Sequence, residues 1–170
     1  MFDIEAEMKY HHGIPAEKPK VNFDKENIMK LVKHILDSKE NVIWHISPEK
    51  SVLDAIKLMA EKRIGALLVM ENEKLVGIIS ERDYARKVIL QGKSSKETPV
   101  KDIMTAEVYR ILPEQTVEDC MEIMTEKRFR HLPVIEGENV IGVISIGDLV
   151  KAIIAEQQFT IEQLESYIAS

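Results

Sequence analysis

The chain has 170 residues, with 29 Asp and Glu against 23 Lys and Arg, a net charge of −6 and a pI near 5.5. That balance speaks against nucleic acid as the main partner, because binding a phosphate backbone needs a basic face. No apolar run approaches the roughly 20 residues of a membrane span, and the N-terminus has no basic region followed by an apolar stretch, so a cytoplasmic protein with no membrane partner is expected.

Residues 1–20 show no period, and no third ligand is evident for His11 and His12, so they are read as solvated residues and no metal is expected. From Lys25 to Asp37 the apolar residues Ile28, Leu31, Val32, Ile35 and Leu36 fall on one side of a helix. Val42 to Ile46 is a short β-branched run closed by Pro48, with Trp44 read as a packing residue against that first helix. Ser51, with Asp54 three residues later, opens a helix whose apolar positions are Val52, Ala55, Ile56 and Met59. Two strands follow, Ala66 to Met70 and Leu75 to Ile79, around the polar turn Glu71-Asn72-Glu73-Lys74. They are almost wholly apolar, so both sheet faces should be covered. A second helix begins at Ser80.

After a polar linker, Gln91 to Pro99, and a short amphipathic turn, Val100 to Met104, the same order recurs. A β-branched run spans Val108 to Leu112, and a helix opens at Thr116 with Asp119. Strands then cover Leu132 to Ile135 and Val140 to Ile144, and a helix starts at Ser145. Ile46 to Ile89 and Ile111 to Ile154 align without a gap at an offset of 65, with 18 of 44 positions identical. One such unit is too small to bury an adequate core alone, so the two should pack against each other. Leu149, Val150, Ala152, Ile153, Ile154 and Ala155 form an apolar arc wider than one sheet face needs, which points to a homodimer. A separate C-terminal helix, Thr160 to Ile168, is expected to start at a Thr160/Gln163 capping pair. The lone Cys120 is read as a small buried residue.

The chemistry sits in a heptad written twice: Gly77-Ile78-Ile79-Ser80-Glu81-Arg82-Asp83 and Gly142-Val143-Ile144-Ser145-Ile146-Gly147-Asp148. Ser and Asp three residues apart can simply cap a helix. The same geometry can offer free N–H groups and a hydroxyl to phosphate, and a carboxylate to the two hydroxyls of a ribose. Repetition in register favours the second use. There is no nucleophile elbow, Walker loop or metal-protease motif, so no catalysis is expected.

With Phe129-Arg130-His131-Leu132-Pro133-Val134, these heptads resemble the tandem CBS-domain pair, or Bateman module, over about residues 42–157. The resemblance implies an α+β fold of two β-α-β-β-α repeats related by pseudo-two-fold symmetry and flanked by N- and C-terminal helices. The corresponding division is an arm over 1–41, repeats over 42–98 and 99–157, and a terminal helix over 158–170. It further implies two clefts for adenosine-containing ligands, AMP first, with ATP, NAD(H) or S-adenosylmethionine as alternatives. Two modules in such families often form a disc, and an unidentified downstream protein would read the ligand state.

Carried over residue by residue, the first cleft combines Ser80, Arg82 and Asp83 with Arg130 and His131. The second combines Ser145 and Asp148 with Gly65 and Ala66, and Gly147 stands where the first has arginine. On this reading the second cleft gathers no cation from those positions and should bind more weakly. Ile43, Ile46, Met104, Thr105 and Pro133 are expected to wall the adenine. Lys62-Arg63 and Lys127-Arg128 are read as offsetting helix dipoles. The competing expectation is a ligand-free homodimeric interaction scaffold.

Overall fold

The computed structural model describes residues 30–169; the sequence readings at 1–29, including His11, His12 and the start of the first helix, lie outside them. Elements follow in the order α1 (Val32–Asp37), β1 (His45–Ile46), α2 (Val52–Lys62), β2 (Ala66–Glu71), β3 (Lys74–Ser80) and α3 (Glu81–Tyr84). A π-helical turn over Ala85–Ile89 extends α3, and a 3₁₀ turn spans Val100–Asp102. The second half has α4 (Val117–Lys127), β4 (His131–Glu136), β5 (Asn139–Ser145) and α5 (Ile146–Ala169).

Each repeat is built on an antiparallel hairpin, β2–β3 in one and β4–β5 in the other. The register shifts after Val69 in the first and after Val134 in the second, the same position at the 65-residue offset. Val69 and Val134 are fully buried, so a slip by one residue would turn each apolar face to water. The helix α2 starts as expected, with Ser51 Oγ accepting from the Asp54 N–H at 3.1 Å, and α4 starts in a reciprocal Thr116/Asp119 box. Both end at an arginine in the left-handed region, Arg63 at φ 54° and Arg128 at φ 57°.

The stretches ahead of the repeats are exchanged. Lys30 to Lys33 hydrogen-bond to Pro113, Gln115 and Val117 of the second repeat, and Thr98 to Lys101 bond in the same way to Pro48, Lys50 and Val52 of the first. Accordingly Val32, Ile35 and Leu36 are buried in one core with Ile111, Met124, Leu132 and Leu149, while Val100 and Ile103 are buried in the other with Val52, Met59, Leu67 and Ile79. The two halves are thereby tied by burial in both directions.

Four sequence expectations change. Leu31 is not helical; it bridges to Thr116, and α1 begins at Val32. The run Val42 to Ile46 pairs only at His45 and Ile46, and Val108 to Leu112 pairs only at Ile111, because Val42, Trp44, Val108 and Tyr109 wall cavities instead. Trp44 lies against the first repeat's core with the Lys62 ammonium 4.5 Å above its ring. The two helices expected after Ser145 are one helix of 24 residues: Thr160 Oγ1 donates to the Glu156 carbonyl at 3.0 Å instead of capping, and no Gly or Pro interrupts the turn. Cys120 is buried as expected, and burial, with Asp119 nearby, pushes its thiol up to about 11.

Candidate functional site

Two cavities lie where the repeats meet, of about 690 Å³ and 500 Å³. Each is placed by one strand-to-helix junction and the opposing strand start. Glu81 N–H donates to the Gly65 carbonyl at 3.1 Å and Ile146 N–H to the Arg130 carbonyl at 2.9 Å, so the two junctions are held by the same bond at the repeat offset. Gly65, Ala66, Ile78 and His131 line both cavities.

The larger cavity brings together the predicted Ser80, Arg82, Asp83, Thr105, Arg130 and His131. Asp83 Oδ2 accepts from Ser80 N–H at 2.9 Å and Asp83 N–H donates to Ser80 Oγ at 3.2 Å, a complete capping box, with a further contact of 2.8 Å between Ser80 Oγ and Asp83 Oδ2. Its Oδ1 is 2.9 Å from the Lys87 ammonium, one helical turn on. Arg82 donates to the Arg128 carbonyl at 3.2 Å, across the repeat boundary. Arg86, Lys127 and Arg128 also line this cavity, so five permanent cations face Asp83, Glu81 and Glu107.

The smaller cavity holds Ser145 and Asp148 with Gly65 and Ala66, as the crossed arrangement requires. Asp148 Oδ2 accepts from Ser145 N–H at 2.8 Å, and Asp148 N–H donates to Ser145 Oγ at 3.2 Å. Lys39 adds its ammonium at 2.8 Å. Partial burial pushes the Asp148 carboxyl up, but the Lys39 and Ser145 hydrogen bonds outweigh it and hold the group below its ordinary value.

The positions carried over to the second cleft supply no cation, but Lys39, Lys62 and Arg63, from outside those positions, line it. Lys62 and Arg63 stand at the C-terminal end of α2, immediately before Ile64, Gly65 and Ala66, which line the same cavity. The repeated Lys-Arg pair at that helix end was the sequence signal for them, and for Lys127 and Arg128; Lys39 and Arg86 left none. His131 is held below its ordinary value of 6.5 by burial first and by the Lys39 and Arg130 charges, with Asp148 acting in the opposite direction. Near neutral pH it therefore offers a hydrogen bond and no charge.

Of the expected adenine walls, only Thr105 lines a cavity. Ile46 and Pro133 are buried in the protein, Met104 packs against Gly77 and the first repeat's core, and Ile43 lines neither cavity. Ile46, Pro133 and Met104 are taken up by strand pairing or core packing and so do not line a cavity. Among the described residues no His/Cys/Asp/Glu group could hold a metal ion, and no helix is long and apolar enough to cross a membrane.

The CBS domain profile matches residues 32–89 and 100–155. The chain is 40% identical over 159 residues to "CBS domain-containing protein CBSX3, mitochondrial" of Arabidopsis thaliana, an alignment covering 91% of this chain and 77% of that protein. Its fold is similar to that of a putative signal-transduction protein with CBS domains from Burkholderia ambifaria, with a TM-score of 0.74, 55% identity and coverage of 78% of this chain and 99% of that one. It is also similar to the CBS domain pair of protein MJ0100 in complex with 5′-methylthioadenosine and S-adenosyl-L-methionine, with a TM-score of 0.65, 27% identity and coverage of 75% and 98%.

Proposed function

Because the chain belongs to the CBS-domain family, we propose that it is a non-catalytic regulatory module that binds an adenosine phosphate, AMP first, in the larger cleft between its repeats. One observation carries this reading: Asp83 and four arginines, Arg82, Arg86, Arg128 and Arg130, line one cavity of about 690 Å³ contributed by both repeats. A carboxylate suits the ribose hydroxyls, and charge-assisted bonds from guanidinium to phosphate are roughly twice as strong as neutral ones. The adenosine ligands of the MJ0100 pair support the ligand class.

A ligand held from both sides binds best at one relative setting of the repeats, and so shifts the population toward it. The surface offered to a downstream protein changes by the same coupling. Such a device requires no catalytic group, and a soluble, cytoplasmic homodimer is the form in which we expect it to act.

Thermal unfolding and isothermal titration with AMP, ATP, NADH and S-adenosylmethionine test the reading. A ligand at 100 times its Kd adds about 2.7 kcal/mol of stability. AMP should raise the transition most. No shift with any of the four would reject ligand binding and favour a homodimeric interaction scaffold.

A further inference from the structure

Both heptad carboxylates are paired with an ammonium, but from opposite sides. In the first repeat Lys87 reaches Asp83 from one turn along the helix and takes no part in lining the cleft. In the second repeat the equivalent position is Ala152, which is buried and carries no charge. The Asp148 charge is met instead by Lys39, which lines the cavity.

Lys39 arrives there through a small insertion. The exchanged segments correspond at an offset of 68, Val32 matching Val100 in its bonds, whereas the repeats proper correspond at 65. The first repeat therefore has three more residues between its exchanged segment and its strand run. The consequence is visible at the sheet edge. In the first repeat, Ile78 of β3 exchanges backbone hydrogen bonds of 3.0 and 2.8 Å with Thr105, and no side chain is needed. In the second, the matching Val143 carbonyl accepts from the Lys39 ammonium at 2.7 Å, and the Ile141 carbonyl accepts from the Asn41 amide. The strap lies tight on the strand: a Cβ on Gly142 would come within 2.6 Å of Leu36 and 2.7 Å of Asn41. Lys39 is thus held at two acceptors, the Val143 carbonyl and the Asp148 carboxylate, the latter being the counterpart of the Asp83 carboxylate of the first cleft.

We propose that Lys39 is a specificity-determining residue, a built-in occupant of the second cleft that excludes ribose from Asp148 and confines adenosine ligands to the first. A ribose hydroxyl approaching Asp148 Oδ2 in the second cleft meets an ammonium already bound there from the cavity side, and taking its place exchanges a charge-assisted bond for a weaker neutral one. In the first cleft the ammonium on Asp83 Oδ1 belongs to Lys87, which does not line the cavity and so leaves the cavity side of that carboxylate without a built-in cation.

The inference rests on the proposed function, and titration calorimetry separates the two. The probe is adenosine, which has no phosphate to interact with Lys39, and the stoichiometry is read per chain for the wild type, Lys39→Ala and Lys39→Met, the last keeping the aliphatic stem. The wild type should bind one adenosine, at a site removed by Asp83→Ala. Both Lys39 variants should gain a second site at least tenfold tighter than any second site of the wild type, and Asp148→Asn added to Lys39→Met should remove it. Two equal sites in the wild type, or no gain in the folded Lys39→Met protein, would overturn the inference and leave the first cleft intact. Weaker second-site binding in the variants would also overturn it, making Lys39 a ligand contact. Failure of every protein to bind adenosine or AMP would overturn the proposed function together with it.

Discussion

At Asp83 and Asp148 one side chain serves two ends, since each completes a helix cap and each faces a cavity. The proposed function makes them unequal. Asp83→Ala removes the ribose acceptor of the cation-rich cleft, and AMP affinity should fall at least tenfold by calorimetry. Asp148→Ala should change it less than threefold; equal losses would refute the asymmetry. Both variants also lose a cap contact, with a stability cost of about 1 kcal/mol that the melting temperature reports separately.

His131 supplies a prediction of a different kind. Its folded-state value lies below 6.5, under the combined action of burial, Asp148, Lys39 and Arg130. The folded protein therefore resists a proton that the unfolded chain accepts. Stability from this group is present above pH 6.5 and is lost as the pH falls toward the folded-state value. The urea midpoint should drop between pH 7.5 and 5.5, and the drop should be smaller in His131→Asn. An unchanged slope in that variant would assign the effect elsewhere.

Elements were legible in proportion to how local their causes are. The capping pairs Ser51/Asp54, Thr116/Asp119, Ser80/Asp83 and Ser145/Asp148 read directly from the sequence, since each cap is closed within four residues. The hairpins also read directly, their apolar runs being bounded by polar turns. The segments before the repeats could not be read in this way. Val42 to Trp44 looks like strand, yet whether it pairs or walls a cleft depends on a partner more than a hundred residues away. Lys39 was invisible for the same reason, its carboxylate lying 109 positions along the chain. Ile46, Met104 and Pro133, read as adenine walls, are instead taken up by the core, because an apolar residue near a site is equally suited to the core behind it.

The exchanged segments make their own prediction. Met104 lies so close to Gly77 that a Cβ there would meet its sulfur at 2.5 Å and the Thr105 carbonyl at 3.2 Å. Gly77→Ala must therefore push a segment that closes the first repeat's core. The expected cost is that of overpacking, about 1–3 kcal/mol in urea unfolding. A neutral result would mean that the segment docks more loosely than its buried Val100 and Ile103 imply.

For the whole molecule the informative surface is α5. Leu149 and Ala152 face the second repeat's core, but Val150 is 43% exposed, Ile154 59%, Ile161 48%, Leu164 49% and Ile168 82%, all on one side of the helix. The end of the π-helical turn adds Ile89 and Leu90, 56% and 78% exposed. An apolar row continuing down a single 24-residue helix is more than scattered surface residues explain. Because it comes from the helix that carries Asp148, self-association through it would couple cleft and interface by one rigid element. Homodimers are accordingly expected in sedimentation velocity at micromolar concentration. Ile154→Glu with Leu164→Glu should yield monomers whose far-ultraviolet dichroism per residue is unchanged, since neither side chain belongs to the buried cores. If the double variant stays dimeric, the contact lies elsewhere, and the tie between ligand and assembly must run through another surface.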